Sequence, residues 1–125
     1  LSINEYKRAV FAREESLRTQ LAVEFLKNGD VIELGNLLYS SHQGLRDLYE
    51  VSCKELDFLV EFTRNISSVK GARIMGGGFG GCTLNIIEEN YTDQFINDIS
   101  RAYLQKFNIE LTPHIVKTNN GVKVL

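Results

Sequence analysis

The residues of this sequence most suited to chemistry form one glycine-rich stretch, ARIMGGGFGGCTLNII, at positions 72–87. Ordering a glycine costs more backbone entropy than ordering any other residue, so an ordered glycine run is favoured where a ligand or another backbone approaches closely. Successive backbone N–H groups that turn inward can also bind an anion, most commonly phosphate. The sequence therefore predicts a phosphate-binding loop made of Gly76, Gly77, Gly78, Phe79, Gly80 and Gly81.

Three other interpretations of this loop are weaker. The dinucleotide fingerprint G-x-G-x-x-G needs a strand before it and a helix after it, but here a strand-like stretch follows. The Walker A motif ends in Gly-Lys-Ser/Thr, whereas Gly81 precedes Cys82 and Thr83. A flexible hairpin tip remains an alternative, but flexible linkers are rich in serine and polar residues. Phe79 and the apolar flanks ARIM and CTLNII instead favour a loop anchored in a core.

The polar residues outside the loop that could contribute to a site are His42, Arg46 and Arg73. A lone histidine near a helix end is commonly solvated or capping, so a position of His42 in an active-site cleft is the second interpretation. Arg46, with Asp47 and Glu50, either orders a loop near a substrate or forms an ion pair on a helix surface. Arg73 is expected to project from a strand rather than to steer phosphate.

The cysteines and histidines do not form a metal-binding pattern. Cys53 and Cys82 lack the CxxC spacing, and only two histidines accompany them. The sequence therefore supports neither a zinc site nor a disulfide framework. We predict two buried thiols and no metal ligand in this chain.

The charge balance excludes some classes of partner. Lysine and arginine number 14 against 16 aspartates and glutamates, giving a net charge of −2 without a basic stripe. A nucleic-acid partner is therefore not expected. No run of 18 apolar residues and no signal-peptide pattern occurs, so we predict a cytoplasmic protein without a membrane partner.

The first half of the chain has helical periodicity. Asn4 is predicted to cap a helix that runs to about Lys27 and ends at NGD, residues 28–30. Asp30 is predicted to cap a second helix, interrupted at Gly44, and a third helix covers residues 55–65. The apolar side of the first helix is expected to consist of Tyr6, Val10, Leu17, Leu21 and Phe25.

The second half changes its period. Cys82, Leu84 and Ile86 alternate with polar residues, which predicts a strand with one buried face. Residues 91–107 repeat apolar side chains every three to four positions and predict a helix. LTPHIVKT and VKVL flank Asn120-Gly121, which suits a hairpin turn. Helices followed by β-α-β-β indicate an α+β domain of 125 residues around an antiparallel sheet.

Three stretches in this order resemble galactokinases, members of the GHMP superfamily of small-molecule kinases. GARIMGGGFGGCT is similar to the family's third signature motif. SSHQGLRDLYEVSCKELDFLVE, residues 40–61, resembles the stretch S-H-x-S-L-R-x-x-Y-E-V-S-C-P-E-L-D, and KRAVFAREESLR resembles the helix R-A-x-H-V-x-x-E-x-x-R. The closing GVKVL is similar to the family's C-terminal end. Departures from the pattern are Phe11 for His, Gly44 for Ser, Lys54 for Pro and Met75 for Thr.

The resemblance implies that residues 1–125 form the C-terminal domain of a galactokinase, ferredoxin-like with additional N-terminal helices. The start at Leu1 rather than Met also suggests a piece of a longer chain. In the family the catalytic aspartate, its partner arginine and a serine-rich phosphate loop lie in the N-terminal domain. We therefore expect no catalytic residue and no activity in this chain alone. Gly76 to Gly81 would contact the nucleotide phosphates across the interdomain cleft, which His42 and Arg46 would line.

The implied reaction transfers a phosphoryl group from ATP, with Mg²⁺, to the C1 hydroxyl of α-D-galactose. The implied partners are galactose, ATP and the N-terminal domain of the same protein. Two alternatives remain, because the third motif fits each of them: a domain of a non-catalytic galactokinase-like sensor of sugar and nucleotide, or of a kinase for another sugar.

Overall fold

The computed structural model describes residues 1–76 and 81–117 of the chain. This part forms four α-helices and one antiparallel pair of strands, which confirms the α+β class. None of its helices is long and apolar enough to cross a membrane. In chain order the elements are α1 (Ile3–Asn28), α2 (Val31–Asp47), α3 (Lys54–Thr63), β1 (Val69–Met75), β2 (Cys82–Ile87), a short 3₁₀ helix (Glu89–Tyr91) and α4 (Thr92–Phe107).

Helix α1 begins with a capping box rather than at Asn4. The Ser2 hydroxyl accepts the backbone N–H of Glu5 at 3.1 Å, and the Glu5 carboxylate accepts the N–H of Ser2 at 2.7 Å. The prediction of Asn4 as the cap is therefore wrong by two residues. The end of the helix is confirmed, because Gly29 follows it with a φ of +69° in the left-handed region.

The side of α1 that packs on the rest of the domain differs from the prediction. Phe11 is its buried residue. Tyr6, Leu17 and Leu21, predicted to face the core, are exposed by 62%, 51% and 48%. Val10 and Phe25 are half-buried, as are Arg8, Glu15 and Arg18. The side of α1 that packs on the domain therefore includes charged residues, which the spacing of apolar residues does not reveal.

Helix α2 is capped by Asp30, as predicted, through a 3.1 Å bond from the N–H of Glu33. It continues through Gly44 without interruption, so the predicted break is wrong. Gly35 lies directly against β1, and a Cβ at Gly35 would come within 1.9 Å of the Lys70 carbonyl oxygen. This close approach lets α2 lie flat on the strand.

The turn after α2 is held by α1. Glu50 has a φ of +60°, a conformation that non-glycine residues rarely adopt. Its carboxylate contacts Lys7 at 3.3 Å and Arg8 at 3.0 Å, and Arg8 also donates to the carbonyl of Leu48. These contacts join the turn to the first helix.

Strands β1 and β2 pair antiparallel from Val69 opposite Ile87 to Met75 opposite Cys82, with an irregularity between Val69 and Gly71. Ala72 and Ile74 of β1 are fully buried. The predicted strand at Cys82 is confirmed, but Cys82 itself is exposed and Cys53 is half-buried. The prediction of two buried thiols is therefore wrong.

Helix α4 packs against α3. Its bounds agree with the predicted 91–107 to within one residue, and Phe95, Ile99 and Tyr103 are buried. Residues 109–117 form neither helix nor strand, so the strand predicted in LTPHIVKT is wrong over 111–117. The predicted turn at Asn120-Gly121 lies outside the described residues. The aromatic side chains joining α3 and α4 are Phe58, Phe62, Tyr103 and Phe107.

Candidate functional site

The glycine-rich loop connects the ends of β1 and β2. Met75 and Cys82 form the last residue pair of the sheet, so the six residues between them bridge the two strands. Gly76 has a φ of +84° and Gly81 a φ of +100°, both in the left-handed region. Backbone conformation therefore requires glycine at both ends of the loop. The other predicted loop residues, Gly77, Gly78, Phe79 and Gly80, lie outside the described residues.

His42 is a buried side chain at the end of β1 rather than a solvated or capping residue. It is 1% exposed. Its Nδ1 accepts the backbone N–H of Ile74 at 3.3 Å, and its Nε2 lies 2.9 Å from Oδ1 of Asp57. Because Nδ1 accepts, the proton of a neutral ring is on Nε2, which donates to Asp57.

The surroundings of His42 favour this neutral form. Burial is the largest influence on the pKa of His42 and lowers it, whereas the hydrogen bond and the charge of Asp57 act in the opposite direction. The positive charges of Arg46 and Arg64 act in the same direction as burial. A protonated ring would also point a second N–H at the N–H of Ile74. The geometry and the direction of the pKa shift therefore agree.

Asp57 fixes the other side of the imidazole. It lies in the first turn of α3, and its Oδ1 also accepts the hydroxyl of Ser52 at 2.6 Å. The residues that precede and begin α3 thus orient the ring of His42 on α2. Sequence reasoning did not single out Asp57, although it lies in the stretch 40–61 that carries the resemblance.

Arg73 projects from β1, as predicted, and it folds back onto the helices. Its Nε donates to the carbonyl of Ile74 at 2.8 Å. Its Nη1 donates to Oγ of Ser41 at 2.8 Å and lies 3.4 Å from Oε2 of Glu15. The guanidinium therefore contacts side chains of both α1 and α2.

Glu15 of α1 contacts both Arg73 of β1 and Arg18 of its own helix. Burial favours its neutral form, but the hydrogen bonds from Arg18 and Ser41, together with the charges of Arg18 and Arg73, hold the pKa of Glu15 below its ordinary value. Ser41 donates to Oε2 at 2.6 Å, and Arg18 donates to Oε1 at 2.8 Å. We call Glu15, Ser41, His42, Asp57 and Arg73 the strand-end cluster.

Arg46, the second residue predicted to line a cleft, lies at the surface of α2. Its Nε contacts Asp47 at 2.8 Å and its Nη1 lies 3.9 Å from Glu61, with about a third of the side chain exposed. Glu50, grouped with it by sequence, instead contacts α1. In residues 1–76 and 81–117, no three histidine, cysteine, aspartate or glutamate side chains could together hold a metal ion.

Most of the chain is similar to known proteins. Residues 22–105 match the family model described as GHMP kinases C terminal. A galactokinase from Thermotoga neapolitana is 44% identical over 117 residues, covering 94% of this chain and 33% of that protein. A galactokinase from Fusobacterium nucleatum is 43% identical, covering 94% and 30%. The chain thus spans about a third of the length of the curated relatives it matches.

Solved structures of kinases also superpose on most of this chain. The structure of Lactococcus lactis galactokinase complexed with galactose superposes with a TM-score of 0.79 at 35% identity, covering 83% of this chain and 27% of that one. A mevalonate kinase from L. major in complex with R-mevalonate has a TM-score of 0.61 at 28% identity, covering 82% and 29%. The fold of most of this chain therefore recurs in kinases that were solved with different small molecules bound.

Proposed function

The chain belongs to the family of GHMP kinase C-terminal domains, and we propose that residues 1–125 form the C-terminal part of an ATP-dependent galactokinase. The observation that carries this proposal is the 44% identity to a galactokinase over 94% of the chain. The superposition on a galactokinase complexed with galactose supports it. The protein would convert α-D-galactose and ATP to galactose 1-phosphate and ADP.

The proposed role of Gly76 to Gly81 is to contact the phosphates of the nucleotide through backbone N–H groups. Phosphoryl transfer depends mainly on placing donor and acceptor in line and on stabilising charge, so a loop without a side-chain base can contribute. The left-handed backbone at Gly76 and Gly81 supports this role. It resembles the turned backbone in which successive N–H groups form an anion-binding concavity.

Magnesium would bridge the phosphates of ATP and neutralise charge that develops on them. We assign no magnesium ligand and no catalytic residue to this chain. The base that takes the proton of the sugar C1 hydroxyl would come from the remaining part of the protein. Contacts to galactose would come mainly from that part as well.

An exposed apolar stripe on α1 supports the presence of a large partner domain. Ile3, Tyr6, Leu17 and Leu21 lie within about 60° of one another around the helix axis. They are exposed by 75%, 62%, 51% and 48%. Such a stripe on one side of a helix is typical of a face that packs against another element. We propose that the remaining part of the kinase, about two thirds of a relative's length, covers it.

The experiment for the loop compares two variants of the full-length protein. Gly78→Val introduces a β-branched side chain that opposes close approach and positive φ. Thr83→Val introduces the same side chain on β2, beyond the loop, and serves as the matched control. We expect Gly78→Val to lower kcat/KM for ATP at least about tenfold, with unchanged thermal stability. Equal kinetics of both variants and the wild type would contradict the role of the loop.

A further inference from the structure

We propose that Ser41 and His42 are positioning residues that hold the end of β1, and with it the start of the glycine-rich loop, in the place where the loop meets the nucleotide. The inference rests on the proposed function of the loop. Neither residue would touch a substrate. Each acts through the strand that leads into the loop.

The two residues are adjacent on α2, and they accept hydrogen bonds from two adjacent residues of β1. Ser41 accepts a hydrogen bond from Arg73 at 2.8 Å, and His42 accepts the backbone N–H of Ile74 at 3.3 Å. Arg73 in turn donates to the carbonyl of Ile74 at 2.8 Å. Both backbone groups of Ile74 are therefore bonded to side chains.

The packing of α2 brings His42 within reach of the strand. Gly35 lies seven residues, or two helical turns, before His42 and therefore on the same side of α2. At Gly35 the helix touches the backbone of Lys70 and Gly71 without an intervening side chain. This contact sets α2 close enough for the imidazole to reach a backbone N–H of β1.

Residues of α1 and α3 fix the orientation of the Ser41 and His42 side chains. Asp57 of α3 accepts from His42, and Glu15 of α1 accepts from Ser41. Ile74 is fully buried, so a shift of the strand end would leave its N–H without a partner inside the domain. All three helices that precede β1 thus oppose movement of its last residues.

The strand end determines where the loop begins. Ile74 precedes Gly76 by two residues, and Met75 is the last residue of β1. A displacement of the strand end would move the backbone N–H groups at the start of the loop by a comparable distance. In phosphoryl transfer a misplacement of about 1 Å can reduce the rate about 100-fold.

Two variants of the full-length protein test separately the hydrogen bonds that Nδ1 and Nε2 of His42 make. His42→Asn places its Oδ1 at the same number of bonds from Cα as Nδ1, so it can still accept from Ile74. His42→Gln places its amide nitrogen at the position of Nε2, so it keeps the contact to Asp57 and loses the one to the strand. The pair therefore removes one contact at a time from one buried site.

We expect His42→Gln to lower kcat/KM for ATP at least about tenfold. We expect His42→Asn to stay within about threefold, and the KM for galactose to change less than about threefold in both variants. Amide hydrogen exchange of the peptide covering 73–76 should be faster in His42→Gln. Equal kinetic losses in the two variants, in proportion to their losses in thermal midpoint, would overturn the proposal.

Ser41→Ala tests the second contact and keeps the proposal falsifiable if the His42 variants do not fold. We expect it to lower kcat/KM for ATP about threefold to tenfold, and unchanged kinetics would overturn the proposal. Failure of the proposed function would appear as wild-type kinetics in Gly78→Val. Failure of this inference alone would appear as impaired ATP use in Gly78→Val while His42→Gln and His42→Asn remain equal.

Discussion

Phe11 of α1 and Gly44 of α2 are in direct contact, and a Cβ on Gly44 would lie 2.8 Å from the Phe11 ring. These are two of the positions at which the sequence departs from the galactokinase pattern, which has His and Ser there. The larger ring at position 11 thus fills the space that a serine would use. Nη2 of Arg18, 3.1 Å from the same Cβ position, is buried without a partner in the described part of the chain.

We predict that these two positions are coupled. Gly44→Ser alone should lower the free energy of unfolding by about 1–2 kcal/mol, because the buried ring must move. In the Phe11→His background the same change should be neutral or stabilising, since the serine hydroxyl then has room to accept from Arg18. Urea unfolding of the four proteins should give a coupling energy of about 1 kcal/mol or more. The exposed neighbour Gln43→Ser is the control, and additive effects would contradict the prediction.

Gly35 should tolerate no side chain. A Cβ there would meet backbone atoms of Lys70, which cannot rotate away as a side chain can. We expect Gly35→Ala to lower the free energy of unfolding by about 3 kcal/mol, although alanine favours helices. Asn36→Ala, at the next and exposed position of α2, is the control and should be neutral or slightly stabilising. Equal stability of the two variants would mean that α2 does not lie against β1.

The stability of the domain should depend on the protonation of His42. Its pKa in the folded chain lies below the ordinary value of 6.5, so the unfolded chain takes up a proton at a higher pH than the folded chain does. The stability contributed by neutral His42 is therefore complete above about pH 6.5 and is lost as the pH falls through the folded pKa.

Urea unfolding between pH 7.5 and 5.5 measures this dependence. We expect the free energy of unfolding to fall more steeply with decreasing pH in the wild type than in His42→Asn, by at most about 1.4 kcal/mol per pH unit. Glu15 and Asp47, whose pKa values are lowered by arginine partners and, for Glu15, also by Ser41 against the effect of burial, contribute at lower pH. Parallel curves for the two proteins would show that His42 is not held neutral.

Much of this fold follows from local sequence patterns. Asp30 and Gly29 mark the boundary between α1 and α2, and the periodicity of residues 91–107 defines α4 nearly to the residue. Local propensity decides such boundaries. Arg73 was expected to lie in a strand, but the extent of β1 was not predicted, because Lys70 and Gly71 weaken its strand pattern. The partner strand and α2 stabilise β1 instead.

The strand-end cluster could not be predicted from local patterns. His42 is buried because Asp57, fifteen residues later, and the N–H of Ile74 satisfy both ring nitrogens. Sequence alone does not reveal that these groups meet. The glycine-rich loop, by contrast, was visible as a motif, and its ends at Gly76 and Gly81 have the left-handed backbone that glycine permits. Its role in phosphate binding stays a prediction.

The exposed stripe of α1 should matter only in the longer protein. Leu17→Glu changes a residue that is about half exposed in this chain, so we expect its thermal midpoint to fall less than about 2 °C in the 125-residue chain. In the full-length protein the same charge would be buried without a partner, and we expect a fall of more than about 5 °C. Ser16→Glu, one position away and exposed, is the control. Equal shifts of the Leu17 variant in both proteins would show that the stripe is not covered.

The central claim is most directly tested by galactose-dependent release of ADP from ATP, measured for the full-length protein beside the 125-residue chain. We predict turnover by the full-length protein and none by the chain alone, because the catalytic base is expected outside this chain. Turnover by the isolated chain would contradict the division of the site between two parts. Absence of turnover in a full-length protein that still binds galactose and ATP would contradict the kinase assignment and indicate a sensor.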